Sequence, residues 1–157
     1  WSTVANGGFE LSDALLDSLR RWDVEFWSDI DPRMIQWLDD LRAAGFKTAL
    51  LSNMHADMAA YARKSLPWLA RLDVCILSCE LRLTKPGRPI FERCVQELKL
   101  EPHEVLFIDD LQPNVDGAIA AGLRALRFES IAHLGTALAP LHVPPPSSTR
   151  QGPRRPA

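Results

Sequence analysis

The sequence predicts an α/β fold, a Rossmann-like parallel sheet flanked by helices, and three observations lead to it. Short apolar runs alternate with amphipathic stretches at helical spacing, which is typical of βαβ units. The chain has 157 residues, the length of one ordinary domain, and 46% of them are hydrophobic, enough for a packed core. Polar residues follow directly where the apolar runs end.

Two helices are predicted before the first strand. Ser12 is placed to cap a helix that runs to about Trp27, with leucines and aromatic residues recurring at helical spacing. Asp31-Pro32 is a strong start for a second helix, since an acidic cap precedes proline at the first helical position. Gly45 lies where a left-handed residue ends a helix.

The remaining elements alternate regularly. The predicted strands are Phe46–Leu51, Val74–Leu77, Val105–Ile108 and Ala125–Phe128. The predicted helices between and after them are Asp57–Lys64, Pro89–Leu98, Asn114–Ala121 and Ile131–Leu138. Strands that alternate with helices in this way pair in parallel, with helices on both faces of the sheet.

Three regions are expected along the chain. Residues 1–30 are helical and precede the alternation, so they are predicted to form an appended lobe. Residues 31–139 form the α/β core. Residues 140–157 include six prolines and three arginines, which predicts a disordered Pro/Arg-rich tail.

Composition excludes several classes of function. A formal net charge of −2 and the lack of a basic stripe argue against nucleic-acid binding. No apolar run is long enough to span a membrane, and because no basic-then-apolar segment opens the sequence given, we expect no secretory leader. Three cysteines are few and odd in number, as expected for free thiols in the cytoplasm.

The residues at the predicted strand ends carry the candidate chemistry. Ligands of parallel sheets bind beyond the carboxyl ends of the strands. Ser52 and Asn53 there suit a phosphate, Lys85 in a later loop is a common phosphate partner, and Asp109-Asp110 suit Mg²⁺. Taken singly, each has a plainer interpretation: a helix cap for Ser52-Asn53 and Asp109-Asp110, and a solvated surface residue for Lys85.

The order of these segments resembles three motifs of the haloacid dehalogenase-like (HAD) hydrolase superfamily. The matching segments are Leu50-Leu51-Ser52-Asn53, then Thr84-Lys85-Pro86 with Pro89-Ile90-Phe91, then Phe107-Ile108-Asp109-Asp110 with Asn114-Val115 and Gly117-Ala118. They are similar to the second, third and fourth motifs of that superfamily. The sequences of these segments most resemble those of the sugar-phosphate phosphatases and of the N-terminal phosphatase domain of soluble epoxide hydrolases.

The resemblance implies a role for each residue. Ser52 would bind the transferring phosphoryl group, and Asn53 would assist it. Lys85 would neutralise the nucleophile and phosphate, and Asp109 would help to hold Mg²⁺, with Asp110 as an outer or alternative ligand. The dehalogenase branch usually lacks this Asp pair and needs no metal, so the pair favours a phosphatase.

The family's first motif, an Asp-x-Asp that supplies the nucleophile, has no clear counterpart. Asp29-Ile30-Asp31 has the spacing, but Asp31-Pro32 already serves as a helix start and no strand precedes it. We therefore expect a chain that lacks the first strand and its nucleophile. The family resemblance then implies that the appended lobe of residues 1–30 is a partial helical cap.

The predicted function is a Mg²⁺-dependent phosphatase acting on a small phosphomonoester, in a truncated form. The alternative is a non-catalytic phosphate- or partner-binding module. Because a sheet without its first strand exposes unpaired edges, we expect a homodimer or a strand-swapped assembly. The expected ligand is a small phosphorylated substrate.

Overall fold

The structure, a computed structural model, describes residues 12–28 and 30–147. Its helices are α1 (Asp13–Ser28), α2 (Pro32–Ala43), α3 (Ala56–Ser65), α4 (Ser78–Leu81), α5 (Arg88–Leu98), α6 (Gln112–Ala120) and α7 (Ile131–Leu138). Its strands are β1 (Ala49–Ser52), β2 (Val74–Leu77), β3 (Leu106–Asp109) and β4 (Arg124–Arg127), with 3₁₀ turns at Pro67–Arg71, Pro102–Glu104 and Ala139–Leu141. Within these ranges, no helix has the length and apolar character needed to cross a membrane.

Side-chain caps begin the first two helices. The Ser12 hydroxyl accepts a hydrogen bond of 3.3 Å from the Leu15 amide, as predicted. The Asp31 carboxylate accepts one of 2.9 Å from the Arg33 amide, which satisfies an amide that the first helical turn leaves unpaired. Asp31 is therefore the helix cap that the sequence predicts, whereas Asp29 lies outside the described residues.

The first strand begins later than predicted. Gly45 has a φ of +85°, and its amide donates to the Arg42 carbonyl, while the Phe46 amide donates to the Leu41 carbonyl. These two bonds are a Schellman ending, so Phe46 still belongs to the end of α2. β1 therefore starts at Ala49, and the Phe46 side chain is exposed.

The four strands form two parallel pairs. β1 pairs with β2 from Ala49↔Val74 to Ser52↔Leu77, and β3 pairs with β4 from Leu106↔Arg124 to Asp109↔Arg127. Each pair is joined through one main helix, α3 or α6, as in a βαβ unit. The parallel α/β architecture is confirmed, but the described strands make two two-stranded sheets rather than one.

A single apolar cluster joins both sheets. Leu51, Val74 and Ile76 of the first sheet and Phe107 of the second pack with the buried residues of α5 and α6. The ring of Phe91 meets that of Phe107 edge to face, with centroids 5.2 Å apart. The shared core fixes the two sheets relative to each other although they exchange no ladder.

The opposite face of β3 packs on a second cluster. Leu106 and Ile108, which alternate with Phe107 along the strand, contact the group around Trp37 of α2 and Leu134 and Leu138 of α7. β3 is therefore covered by helices on both faces, as the sequence predicts.

The segment that follows α7 packs on this second cluster. The Trp37 indole donates a 2.6 Å hydrogen bond to the Pro144 carbonyl, Val143 contacts the cluster, and Pro146 is buried. Residues 140–147 are thus a packed strap, where the sequence predicts the start of a disordered tail. Proline has no backbone amide donor, and it is tolerated in this strap because the strap forms no strand-to-strand hydrogen bonds. Residues 148–157 lie outside the described part.

Candidate functional site

The fold brings the predicted polar segments to neighbouring strand ends. Ser52 is the last residue of β1 and Asp109 the last of β3. Lys85 lies in the loop between α4 and α5, and contacts both ends: its backbone bonds to Asn53, and its side chain to Asp109. Asn53, Lys85 and Asp109 are far apart in sequence but form one continuous polar chain, and Ser52 directly precedes Asn53.

A buried ion pair lies at the centre of that chain. Lys85 Nζ is 2.6 Å from Asp109 Oδ2, and the two side chains are only 10% and 6% exposed. The same ammonium lies 5.4 Å from the centroid of the Phe107 ring, within cation–π range. Burial strengthens the attraction between the two charges because water screens it less.

Asp109 is held in its charged form from several directions. Its Oδ1 accepts hydrogen bonds from the Leu111 amide (3.0 Å) and from Asn114 Nδ2 (2.9 Å). Burial alone would raise the pKa of this carboxyl, but the hydrogen bonds from Lys85, Asn114 and the Leu111 amide outweigh burial and lower the pKa. Asp109 therefore supplies a stable negative charge at the carboxyl end of β3.

The Asn53 side chain is bonded to the backbone of Lys85, in the loop between α4 and α5 that we call the lysine loop (residues 82–87). Its Nδ2 donates to the Lys85 carbonyl and its Oδ1 accepts from the Lys85 amide, both at 2.9 Å. Met54, the next residue, donates its amide to the Ser78 hydroxyl at 2.9 Å, which ties the segment after β1 to the start of α4. The Asn53 amide group thus engages the backbone of the lysine loop.

Ser52 and Asp110 are the members of the set with free polar groups. Ser52 is half-buried, and its hydroxyl has no hydrogen-bond partner among the described residues. Asp110 is exposed, and within the same part of the chain its carboxylate is unpaired, although its carbonyl accepts a 3.2 Å bond from Arg127 Nε. Both groups are available to a ligand.

The described side chains fit only part of a metal site. No three His, Cys, Asp or Glu side chains gather into a metal-binding group within residues 12–28 and 30–147. Mg²⁺ is commonly held by one or two carboxylates, water and a substrate phosphate. Asp110 with the neighbouring Asp109 fits that partial donor set, provided that a phosphate and water complete it.

Three further residues shape the site: all three lie in the segments that match the family motifs, but their contacts could not be read from the sequence. Asn114 is buried on Asp109, and Phe107 lies beneath the ammonium of Lys85. Gly117 lies against Pro86: a Cβ there would come within 2.5 Å of the Pro86 carbonyl oxygen and 3.2 Å of the Phe91 ring. α6 can approach the lysine loop this closely only because position 117 has no side chain.

Comparison with known proteins identifies the family. The family model described as haloacid dehalogenase-like hydrolase matches residues 8–122, most of the chain. The match includes every residue of the polar chain described above. The protein therefore belongs to the haloacid dehalogenase-like hydrolase family, as its motifs indicate.

Curated relatives with different activities are similar to part of this chain. The chain is 32% identical over 100 residues to (S)-2-haloacid dehalogenase 1 of Pseudomonas sp. (strain CBS-3), covering 64% of this chain and 44% of the relative. It is 33% identical over 82 residues to bifunctional epoxide hydrolase 2 of Sus scrofa, covering 50% of this chain and 15% of the relative. The chain thus spans less than half the length of these relatives.

A solved structure with a phosphate ligand shares the fold. A HAD family enzyme of Bacteroides thetaiotaomicron, in complex with magnesium and inorganic phosphate, matches with a TM-score of 0.66 and 26% identity. The match covers 81% of this chain and 68% of that one. The α/β core is thus one on which a related protein binds both ligands.

Proposed function

We propose that the chain provides the phosphate- and Mg²⁺-binding part of a phosphatase that acts on a small phosphomonoester. The observation that carries the proposal is the buried Lys85–Asp109 pair, with Ser52 next to Asn53 and Asp110 next to Asp109 along the chain. Cation, hydroxyl and carboxylates at one strand edge are what a phosphate with Mg²⁺ requires.

Each residue has a distinct part in this proposal. The Ser52 hydroxyl donates to a phosphate oxygen, and Lys85 supplies a positive charge that its partner Asp109 keeps in place. The resemblance implies Asp109 as the metal ligand and Asp110 as an outer or alternative one. Because both oxygens of Asp109 already accept hydrogen bonds, we instead propose the exposed Asp110 as the direct metal ligand and Asp109 as its neighbour. Bound Mg²⁺ would neutralise charge on the phosphoryl oxygens.

The phosphatase assignment is preferred over a dehalogenase. Relatives and neighbours include both activities, so similarity alone does not separate them. The Asp109-Asp110 pair favours the phosphatase, because by the family resemblance dehalogenases usually lack it. An exposed carboxylate such as Asp110 has a clear use beside a metal ion and a phosphate.

A non-catalytic module is the second candidate, and one observation favours it. Within the described residues no Asp-x-Asp follows a strand, and Asp31 of the single Asp-x-Asp is engaged as the cap of α2. On this alternative the site binds phosphate without hydrolysing it. Both candidates require the same binding residues, and only turnover separates them.

We propose further that the strand edges are used for association. Among the described strands, β1 and β3 each pair on one edge, yet both belong to one core. Unpaired edges are templates for another strand. A homodimer or a strand-swapped assembly would cover them, and light scattering that shows a monodisperse monomer would count against this.

A cytoplasmic location is also proposed. Cys75, Cys79 and Cys94 are all free thiols. Burial raises the pKa of Cys94 to about 11, so this thiol stays protonated and unreactive. Free thiols of this kind are compatible with a reducing compartment.

Calorimetric titration with inorganic phosphate in the presence of Mg²⁺ tests the binding proposal. We expect Lys85→Ala to weaken phosphate binding by at least about tenfold, because a desolvated charge partner is lost. Lys64→Ala, an exposed lysine in the last turn of α3, is the matched control and should bind like the wild type. Equal affinity in both variants would refute the assignment of Lys85.

A further inference from the structure

We infer that Asn53 is a positioning residue that acts on the phosphate site through Lys85, a role that rests on the function proposed above. The family resemblance predicts that Asn53 assists the phosphate directly. The structure instead directs both ends of its amide at the backbone of Lys85.

The two bonds form a closed clamp. The Lys85 amide donates to Asn53 Oδ1 and the Lys85 carbonyl accepts from Asn53 Nδ2, each at 2.9 Å. A pair of bonds to one residue fixes both the place and the rotation of its peptide groups. The anchor itself is fixed, because the neighbouring Met54 is bonded to Ser78, the first residue of α4.

The loop is also held from the side of α6. Gly117 packs on Pro86 at a distance that leaves no room for a Cβ. Asn53, directly after β1, and Gly117 of α6 therefore restrain the Lys85-Pro86 segment from two sides. The side chain of Lys85 leaves this restrained backbone toward Asp109, with Nζ 2.6 Å from Oδ2.

The geometry has a functional consequence. The ammonium of Lys85 lies over the Phe107 ring and against Asp109, and a small shift of the Lys85 backbone would change its distance to both. Misplacing a charged group by about 1 Å is enough to cost a large part of its effect on a ligand. Asn53 thus controls the phosphate site without contacting phosphate.

A double-mutant cycle on the full chain distinguishes this role from direct binding. The probe is inorganic phosphate with Mg²⁺, titrated into wild type, Asn53→Ala, Lys85→Met and the double variant, with folding checked by circular dichroism. We expect Asn53→Ala to weaken binding about tenfold in the wild-type background and less than about twofold when Lys85 is already methionine. Ser52→Ala, which removes a direct ligand, should weaken binding in both backgrounds.

An equal loss from Asn53→Ala in the two backgrounds would overturn the inference, because a direct ligand acts independently of Lys85. Hydrogen exchange of the Lys85 amide provides a second readout that needs neither phosphate nor the Lys85 variant. Asn53→Ala should speed this exchange about tenfold, whereas Asn53→Asp, which keeps the acceptor oxygen, should preserve protection. Unchanged exchange in Asn53→Ala would also refute the clamp.

The two arms separate the inference from the proposed function. Wild-type protein that binds no phosphate would contradict the proposed function, while the exchange experiment would still decide whether Asn53 holds Lys85. Phosphate binding that survives Lys85→Met unchanged would refute the role of the lysine itself.

Discussion

At the scale of single residues, the Lys85–Asp109 pair is the most consequential contact. Both side chains are almost completely buried, so each charge depends on the other for compensation. Asn114 and the Leu111 amide support the carboxylate, while the Phe107 ring lies under the ammonium. The pair therefore contributes to the integrity of the site as well as to ligand binding.

Removing one partner of this pair should destabilise the fold. Lys85→Met keeps the aliphatic stem but leaves the Asp109 charge uncompensated, and we expect a loss of about 3 kcal/mol in the free energy of unfolding. The double variant Lys85→Met/Asp109→Asn should recover most of that loss. Urea unfolding followed by circular dichroism measures both, and a double variant as unstable as Lys85→Met would contradict the explanation.

A methyl group at position 117 should disturb the lysine loop. In Gly117→Ala the new Cβ meets the Pro86 carbonyl at 2.5 Å, so we expect a loss of about 1–3 kcal/mol from overpacking. Gly135→Ala is the matched control in α7, where the Cβ meets Pro145 at an ordinary 3.6 Å. That variant should gain up to about 1 kcal/mol from helix propensity. Thermal unfolding of the two variants compares them, and equal effects would contradict the close approach.

At the scale of elements, hydrogen bonds between the residues that precede β1 and β2 fix where the two strands begin. The Asp73 carboxylate, just before β2, accepts hydrogen bonds from the Thr48 amide (2.8 Å) and hydroxyl (3.2 Å), just before β1. The backbone bond from Thr48 is the main cause that lowers the pKa of Asp73 below its ordinary 3.8. This tie sets the register Ala49↔Val74 from which the pair extends.

The Asp73 tie predicts a dependence of stability on acid. Since the folded state lowers the pKa of Asp73, the tie stabilises the fold above pH 3.8 and is lost as pH falls through the folded pKa. Asp73→Asn, which keeps an acceptor but does not titrate there, should lose less stability than wild type between neutral pH and about pH 2. Urea unfolding at both pH values measures this.

Thr48→Val is the companion variant for this prediction. It removes the hydroxyl bond but keeps the backbone bond, so it should retain most of the acid sensitivity. If wild type and Asp73→Asn lost stability in parallel on acidification, the tie would have no part in the acid response.

Most elements were predictable because their signals are local. The caps at Ser12 and Asp31 and the glycine at position 45 mark helix ends by the backbone groups that they satisfy. Phe46 was misplaced because its apolar side chain resembles the start of a strand, whereas its amide completes the ending of α2. Local hydrophobicity does not report which amide a helix end uses.

At the scale of the whole molecule, the site was predictable in position but only partly in its contacts. Ser52 and Asp109 end β1 and β3, as the strand order predicts, and the contact between Lys85 and Asp109 is observed. The clamp by Asn53 and the close approach of Gly117 depend on how the segment after β1 and helix α6 meet the Lys85-Pro86 segment. No spacing along the chain encodes those distances.

The division of the strands into two sheets could not be predicted from sequence patterns either. Apolar periodicity predicts strands, but it does not specify which edges pair, and here the described strands pair only within each βαβ unit. The packed strap of residues 140–147, which contacts Trp37 of α2, was not predicted because its prolines are typical of disordered tails.

The central claim is that a phosphate binds together with Mg²⁺ at the edge formed by Lys85, Asp109 and Asp110. The most direct measurement is the phosphate affinity of the full chain by calorimetry, with and without Mg²⁺, for wild type, Asp110→Asn and the control Asp116→Asn on the exposed side of α6. We expect Mg²⁺ to raise phosphate affinity at least about tenfold in wild type and in Asp116→Asn, and to have little effect in Asp110→Asn. Phosphate affinity that is independent of Mg²⁺ in the wild type, or an undiminished Mg²⁺ effect in Asp110→Asn, would contradict the claim.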